Sequence, residues 1–163
     1  MKLVGNLVFN QRDGVIKHRE TNEVLAKYPV KIAIPVLWLE DNLTIAIDST
    51  GVKFPGAKLY LPEEVVKHLD KVILFANADT PSATDAVVEC QLYCLDDHVE
   101  IGKVSYAGDS GLKTVEIDRD TIAAHAKHNL YCRIEVTTAS ATSGATQTIL
   151  GLGVWFVIDL TKQ

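Results

Sequence analysis

The chain has 163 residues, 47% apolar and 23% charged, with a formal net charge of -5. This length fits one domain over residues 1–163, and this composition can bury a core, which excludes a disordered chain. The acidic excess lies wholly beyond residue 80, where eleven Asp/Glu face six Lys/Arg against ten of each before it. Such a half repels phosphate, and no basic run or basic-aromatic patch appears, so nucleic acid is not an expected partner.

The opening "MKLVGNLVFNQRDG" has its apolar run broken by Gly5 and Asn6, with no small-residue cleavage site. It does not read as a signal peptide, so the expected place of synthesis and residence is the cytoplasm. Both chain ends are expected to be packed, against a neighbour. Asp13-Gly14, between "NLVFNQR" and "VIKHR", predicts a two-residue hairpin. "VKIAIPVLWL" (30–39) is apolar on both sides, as covered strands are, while Pro35 within it demands a bulge or an edge position. It is too short to span a bilayer, and no membrane partner is expected.

Asp41-Asn42 marks a turn before "LTIAID" (43–48), which alternates with a period of two. "LPEEVVKHLDK" (61–71) predicts a short helix, with Pro62 at its start, Glu63 and Glu64 in its first turn, and Lys67 and His68 in its last. "KVILFANA" (71–78) reads as a central strand. In "AVVECQLYCL", Val88, Cys90, Leu92 and Cys94 share one face. Val99 and Ile101 precede Gly102 in one register and Val104 and Tyr106 follow in the other, which predicts a glycine bulge. "KTVEID" (113–118) alternates again. "DRDTIAAHAKHN" (118–129) predicts a second short helix, capped by Asp118 or Asp120, with His125, Lys127 and His128 near its end. In "LYCRIEVT", Leu130, Cys132, Ile134 and Val136 face inward. "TTASATSGATQT" (137–148) reads as a mobile loop or a thin-profiled strand.

About nine or ten strands and two helices in connections predict an all-β fold, an antiparallel β-sandwich of jelly-roll type. A β-α-β alternation is missing, which argues against a doubly wound sheet.

The last strand, "TILGLGVWFVIDL", contains a G-x-G. A dinucleotide loop needs a third glycine and a following helix; Phe156 holds the third position and a strand follows. Leu152, Val154, Phe156, Ile158 and Leu160 form the core face. Gly151, Gly153, Trp155, Val157 and Asp159 lie on the other, where the two glycines beside the tryptophan make a shallow apolar patch suited either to a covering loop of the same chain or to a partner surface.

Gly108-Asp109-Ser110-Gly111 resembles the nucleophile signature of chymotrypsin-like proteases over four residues, but Leu112-Lys113 follow where the family has Gly-Pro. A turn is the expected reading; a hydrolase built on Ser110 is the weakest alternative. Cys90 and Cys94 are about 13 Å apart along one strand and cannot bond to each other; with Cys132 they read as buried thiols. Cys132 has the option of meeting one of the others across the sandwich. His125 and His128 lack a clear further zinc ligand, and helix C-terminal charge accounts for them. Asp79, Asp85, Asp96, Asp97, Asp109, Asp118 and Asp120 recur in loops, where they suit turns and caps, or else calcium. Glu89 and Glu135 read as solvated surface rather than as a glycosidase pair.

No residue set amounts to an active site, and no cofactor or metal is assigned. The expected function is that of a non-enzymatic structural subunit, packing with itself or on a larger particle of virion-shell, decoration or filament type. Gly151, Gly153, Trp155 and Val157 are its expected interface. The alternative is a carbohydrate- or small-ligand-binding sandwich, calcium-dependent through its loops, with Tyr93, Tyr106, Tyr131 and Trp155 lining one sheet.

Overall fold

The computed structural model describes residues 2–4, 7–10, 15–27, 31–39, 41–55 and 58–161, with backbone alone for 2–4, 7–10 and 25–27. Four short strands, β1 (Lys2–Val4), β2 (Leu7–Asn10), β3 (Val15–His18) and β4 (Val24–Lys27), form an antiparallel meander of their own. Asn10 lies opposite Val15, so four positions rather than two separate β2 from β3; Asp13-Gly14 falls among them, outside the described residues. The expected packing of the chain ends falls on Met1, Lys162 and Gln163, also outside them.

The strands from β5 onward make two sheets packed face to face. One carries β5 (Lys31–Trp38) and β6 (Leu43–Ala46), which succeed each other along one edge of β14 (Thr146–Asp159), then β9 (Leu69–Ala78) and β12 (Gly111–Asp118). The other carries β7 (Gly51–Lys53) and β8 (Leu59–Tyr60), which succeed each other along β13 (Asn129–Thr138), then β10 (Val87–Cys94) and β11 (Val99–Ala107). With β5/β6 and β7/β8 counted as two interrupted strands, the eight strands cross from sheet to sheet at every connection except β10–β11, the order of a double Greek key. This is the jelly-roll sandwich that the sequence predicts. The helices α1 (Glu63–His68) and α2 (Arg119–Ala123) sit in connections.

Period-two patterning builds the core. Val72, Leu74, Ala76 and Ala78 face Val88, Cys90, Leu92, Leu130 and Ile134 within one cluster, joined by Leu152, Val154 and Phe156. Tyr106 is fully buried, its hydroxyl 2.7 Å from the Ala76 carbonyl oxygen and 2.9 Å from that of Gly111. Two predicted bulges are present: the β10–β11 register skips Ile101 beside Gly102, and the β14–β5 register skips Val36 beside Pro35. At Gly102 a methyl group would overlap the Ile117 side chain.

Three expectations need correction. β5 has the two-sided apolar pattern of a covered strand yet lies at a sheet edge, as Pro35 allowed, with Ile32 and Ile34 exposed, because among the described residues β14 is its one partner strand. The second helix stops at Ala123: Lys127 takes a left-handed φ of 69° and gives its N–H to the Leu61 carbonyl, turning the chain away. The segment 137–148 is strand at both ends, where β13 closes at Thr138 and β14 opens at Thr146, and the loop between them is held by hydrogen bonds. Asp85 accepts from the Ser140 hydroxyl and the Ala141 N–H, and Asp48 from the Gly144 N–H.

Candidate functional site

The outer face of the β14 sheet is set by register. Gly153 lies between Phe75 on β9 and Trp38 on β5; Trp155 lies between Ile73 and Pro35; Val157 lies between Lys71 and Ala33. Residues directly opposite in an antiparallel sheet share a face, so these side chains form one patch. Trp38 is 57% exposed and Trp155 41%, while Gly153 and Val157 are buried and Gly151 half-buried. The structure therefore brings the four predicted residues onto one face but leaves only Trp155 among them prominent. It adds Trp38, Pro35, Phe75 and Ile73, which sequence reasoning did not place there.

The two glycines differ. A methyl group on Gly153 would come within 2.7 Å of the Phe75 ring and of the Leu37 carbonyl oxygen. Phe75 lies across β14 at this point, and its ring meets Trp155 edge-on at 6.2 Å between centroids. What lies over Gly153 is thus the Phe75 side chain of the adjacent strand. Gly151 has only loose contacts, at 3.9 Å. Around the edge of β5, a groove of about 870 Å³ opens between Ile34, Tyr60, Val65 and Phe156.

The outer face of the β13 sheet is of opposite character. Glu89 and Glu135 are register partners, and Gln91 donates to both, at 2.8 and 3.1 Å. Arg133 pairs with Glu135 and donates to Gln91, and Lys103 pairs with Glu89 at 3.0 Å. These acids are not the solvated surface expected: the Glu89 side chain is 13% exposed. Burial pushes its carboxyl up, but hydrogen bonds from Lys103 and Gln91 outweigh this and hold it below the usual carboxylate range. The Arg133 guanidinium stacks over Tyr93, and Phe54 meets Tyr93 and Tyr131 edge-on. The four aromatics expected on one sheet are consequently divided: Tyr93 and Tyr131 here, Trp155 on the opposite face, Tyr106 in the core.

The remaining candidates are dispersed. Ser110 sits in the β11–β12 turn between Gly108 and Gly111, both at positive φ, with the Thr80 hydroxyl 3.5 Å away. Asp79 accepts from the Thr148 N–H, Asp96 from Asn129, and Asp109 from Ala107 and Lys113. Among the described residues these acids do not gather into one calcium-type set. All three cysteines are buried and free, with Cys90 and Cys132 in one sheet rather than across the sandwich, and burial pushes both thiols up to about 12. Cys94 differs. Its thiol donates to Asp97 Oδ2 at 3.1 Å, and the same oxygen lies 2.6 Å from His125 Nδ1 and from His128 Nδ1. Hydrogen bonding, first from His125, brings the Asp97 carboxyl down to about 2.

No family model and no curated protein matches the chain. Among solved structures, a chain of the acidic stable capsid of Helicobacter pylori bacteriophage KHP30 is similar at 16% identity and a TM-score of 0.40, over 79% of this chain and 97% of its own. A family two carbohydrate esterase from Cellvibrio japonicus is similar at 15% identity and a TM-score of 0.27, over 76% of this chain and 35% of its own. At these TM-scores neither likeness bears on function. Among the described residues no helix is long and apolar enough to cross a membrane.

Proposed function

We propose that this chain is a non-enzymatic structural subunit that packs with copies of itself, or onto a larger particle of virion-shell, decoration or filament type. It docks through the outer face of β5 and β14 and is made and assembled in the cytoplasm. Jelly-roll sandwiches serve both as shell subunits and as lectins, so topology alone leaves both classes open. The observation that carries the reading is the placement of Trp38 and Trp155, largely exposed, on one apolar face with Pro35, Ile73 and Phe75. A contiguous exposed apolar patch with aromatic anchors is the composition of an interface core. Face packing is favoured over strand addition at β5, because Pro35, Lys31 and the Val36 bulge guard that edge.

Size-exclusion chromatography with light scattering at micromolar concentration tests this. The expected mass is a multiple of 17.8 kDa. Trp38→Glu combined with Trp155→Glu is expected to give a folded monomer. A wild-type monomer that is also absent from every purified particle would rule the reading out. The carbohydrate-binding alternative keeps one observation in its favour, the Phe54–Tyr93–Tyr131 cluster on the other face. Glycan binding abolished by Tyr131→Ala would favour it.

A further inference from the structure

At one end of the sandwich, Cys94 ends β10, Asp97 lies in the β10–β11 turn, and His125 and His128 lie in the connection from α2 to β13. One thiol sulfur, one carboxylate oxygen and two imidazole nitrogens, all from different residues, lie within 4.8 Å of one another. We propose that these four residues bind a single divalent transition-metal ion of the zinc class, as a structural clamp between the two loops.

The donor chemistry selects the metal. Thiolate and imidazole favour zinc and its neighbours, whereas calcium and magnesium require oxygen ligands in larger number. Four protein ligands close a tetrahedral shell, which is the pattern of structural rather than catalytic zinc. Two ligands on such an ion, at about 2.3 Å for sulfur and about 2.0–2.1 Å for nitrogen, stand about 3.6 Å apart. Cys94 Sγ and His128 Nδ1 are already at 3.8 Å. Asp97 Oδ2 lies within 3.1 Å of each of the other three donors, on a side chain that is a third exposed and has room to shift outward into the shell. Cys94 gives its thiol proton to solvent on binding. The thiolate and the carboxylate then neutralise the ion's two charges, with both imidazoles neutral.

The backbone holds the two loops together independently of these side chains. The Leu95 N–H donates to Asn129 O at 2.9 Å and the Asn129 N–H to Asp96 Oδ2 at 2.6 Å, while the Leu61 N–H, from the segment before α1, fixes His128 through its carbonyl oxygen at 2.9 Å. Left-handed Lys127 reverses the chain between the histidines and brings both Nδ1 atoms to the same carboxylate; left-handed His98 does the same for the turn after Asp97. Hydrogen bonds to Asp97 alone are the competing account, and they give no affinity for an ion.

The test uses the full chain, stripped of metal, with Zn2+ titrated against a chromophoric chelator and Co2+ as the spectroscopic probe. The expected result is one ion per chain, a four-coordinate cobalt spectrum with thiolate-to-metal charge transfer, and a melting temperature raised by Zn2+ but not by Ca2+. Cys94→Ser is expected to remove the charge-transfer band. His128→Gln, at a half-exposed position, is expected to weaken Zn2+ by more than about tenfold. Failure of the wild-type chain to bind Zn2+ one-to-one, or a cobalt complex without a thiolate band, overturns the proposal whether or not the variants fold.

Discussion

The two outer faces of the sandwich are built on the same scaffold and finished differently. On the β13 sheet, Glu89, Gln91, Arg133, Glu135 and Lys103 join in one network of hydrogen bonds and ion pairs, and the aromatics there pack on one another and under Arg133. On the β14 sheet, the corresponding rows carry Trp38, Gly153, Phe75, Pro35, Trp155 and Ile73, an apolar stretch over β5, β14 and β9 that gives way to polar residues only at β12, with Thr114 opposite Phe75 and Glu116 opposite Ile73. A face that saturates its own polar groups is complete in water. A face that exposes two indoles is complete only when something covers it. This difference, more than the topology, separates a ligand module from a subunit of an assembly.

The largest effect that breaks the comparison is charge on the apolar face. Trp38→Glu with Trp155→Glu is expected to weaken self-association or particle binding by about 2–4 kcal/mol, measured by sedimentation equilibrium, with the circular dichroism spectrum unchanged. Tyr131→Ala, on the polar face, is expected to leave association unchanged. Next comes Gly153→Ala. Its methyl group meets the Phe75 ring and a backbone oxygen that cannot retreat, so a loss of about 1–3 kcal/mol in urea unfolding is expected.

A smaller effect sharpens the polar face. The Glu89 carboxyl is held below its ordinary value of 4.5, so the unfolded chain binds its proton first as pH falls. Its contribution to stability is fully present above that value and disappears as pH drops through the lowered folded value. Glu89→Gln is expected to flatten this part of the acid-unfolding profile, by about 1 kcal/mol or less. Smallest of all, Gly151→Ala meets nothing closer than 3.9 Å and is expected to change stability by under about 0.5 kcal/mol. Equal losses at Gly151 and Gly153 would contradict the register that seats Phe75 over Gly153.

The strands were legible where one face is buried, because alternation then shows directly, as in Val88–Cys94 and Leu130–Val136. So were the bulges at Gly102 and Pro35, which local backbone chemistry dictates. The apolar run of β5 was legible but misleading: apolarity on both sides signals cover, and here the fold buries Leu37 and part of Val36 while leaving Ile32, Ile34 and Trp38 exposed. The reason for Gly153 was hidden, because the partner that fills its space, Phe75, is brought there by long-range register. The Cys94–His128 cluster was half visible, as a C-x-x-D and an H-x-x-H, but β11, β12 and α2 separate the two pairs. Only the sandwich ends bring them together, and a reading that assigns each residue to its own local role misses the set.

Trp38 and Trp155 are the chain's two tryptophans, and both lie on the apolar face, so indole fluorescence reports on that face alone. The most direct measurement is therefore tryptophan emission and acrylamide quenching across a concentration series that spans dissociation, and in any particle that retains the chain. The account expects a red-shifted, readily quenched emission in the dilute chain, becoming blue-shifted and protected on assembly. Emission that stays equally accessible in the assembled state would contradict it.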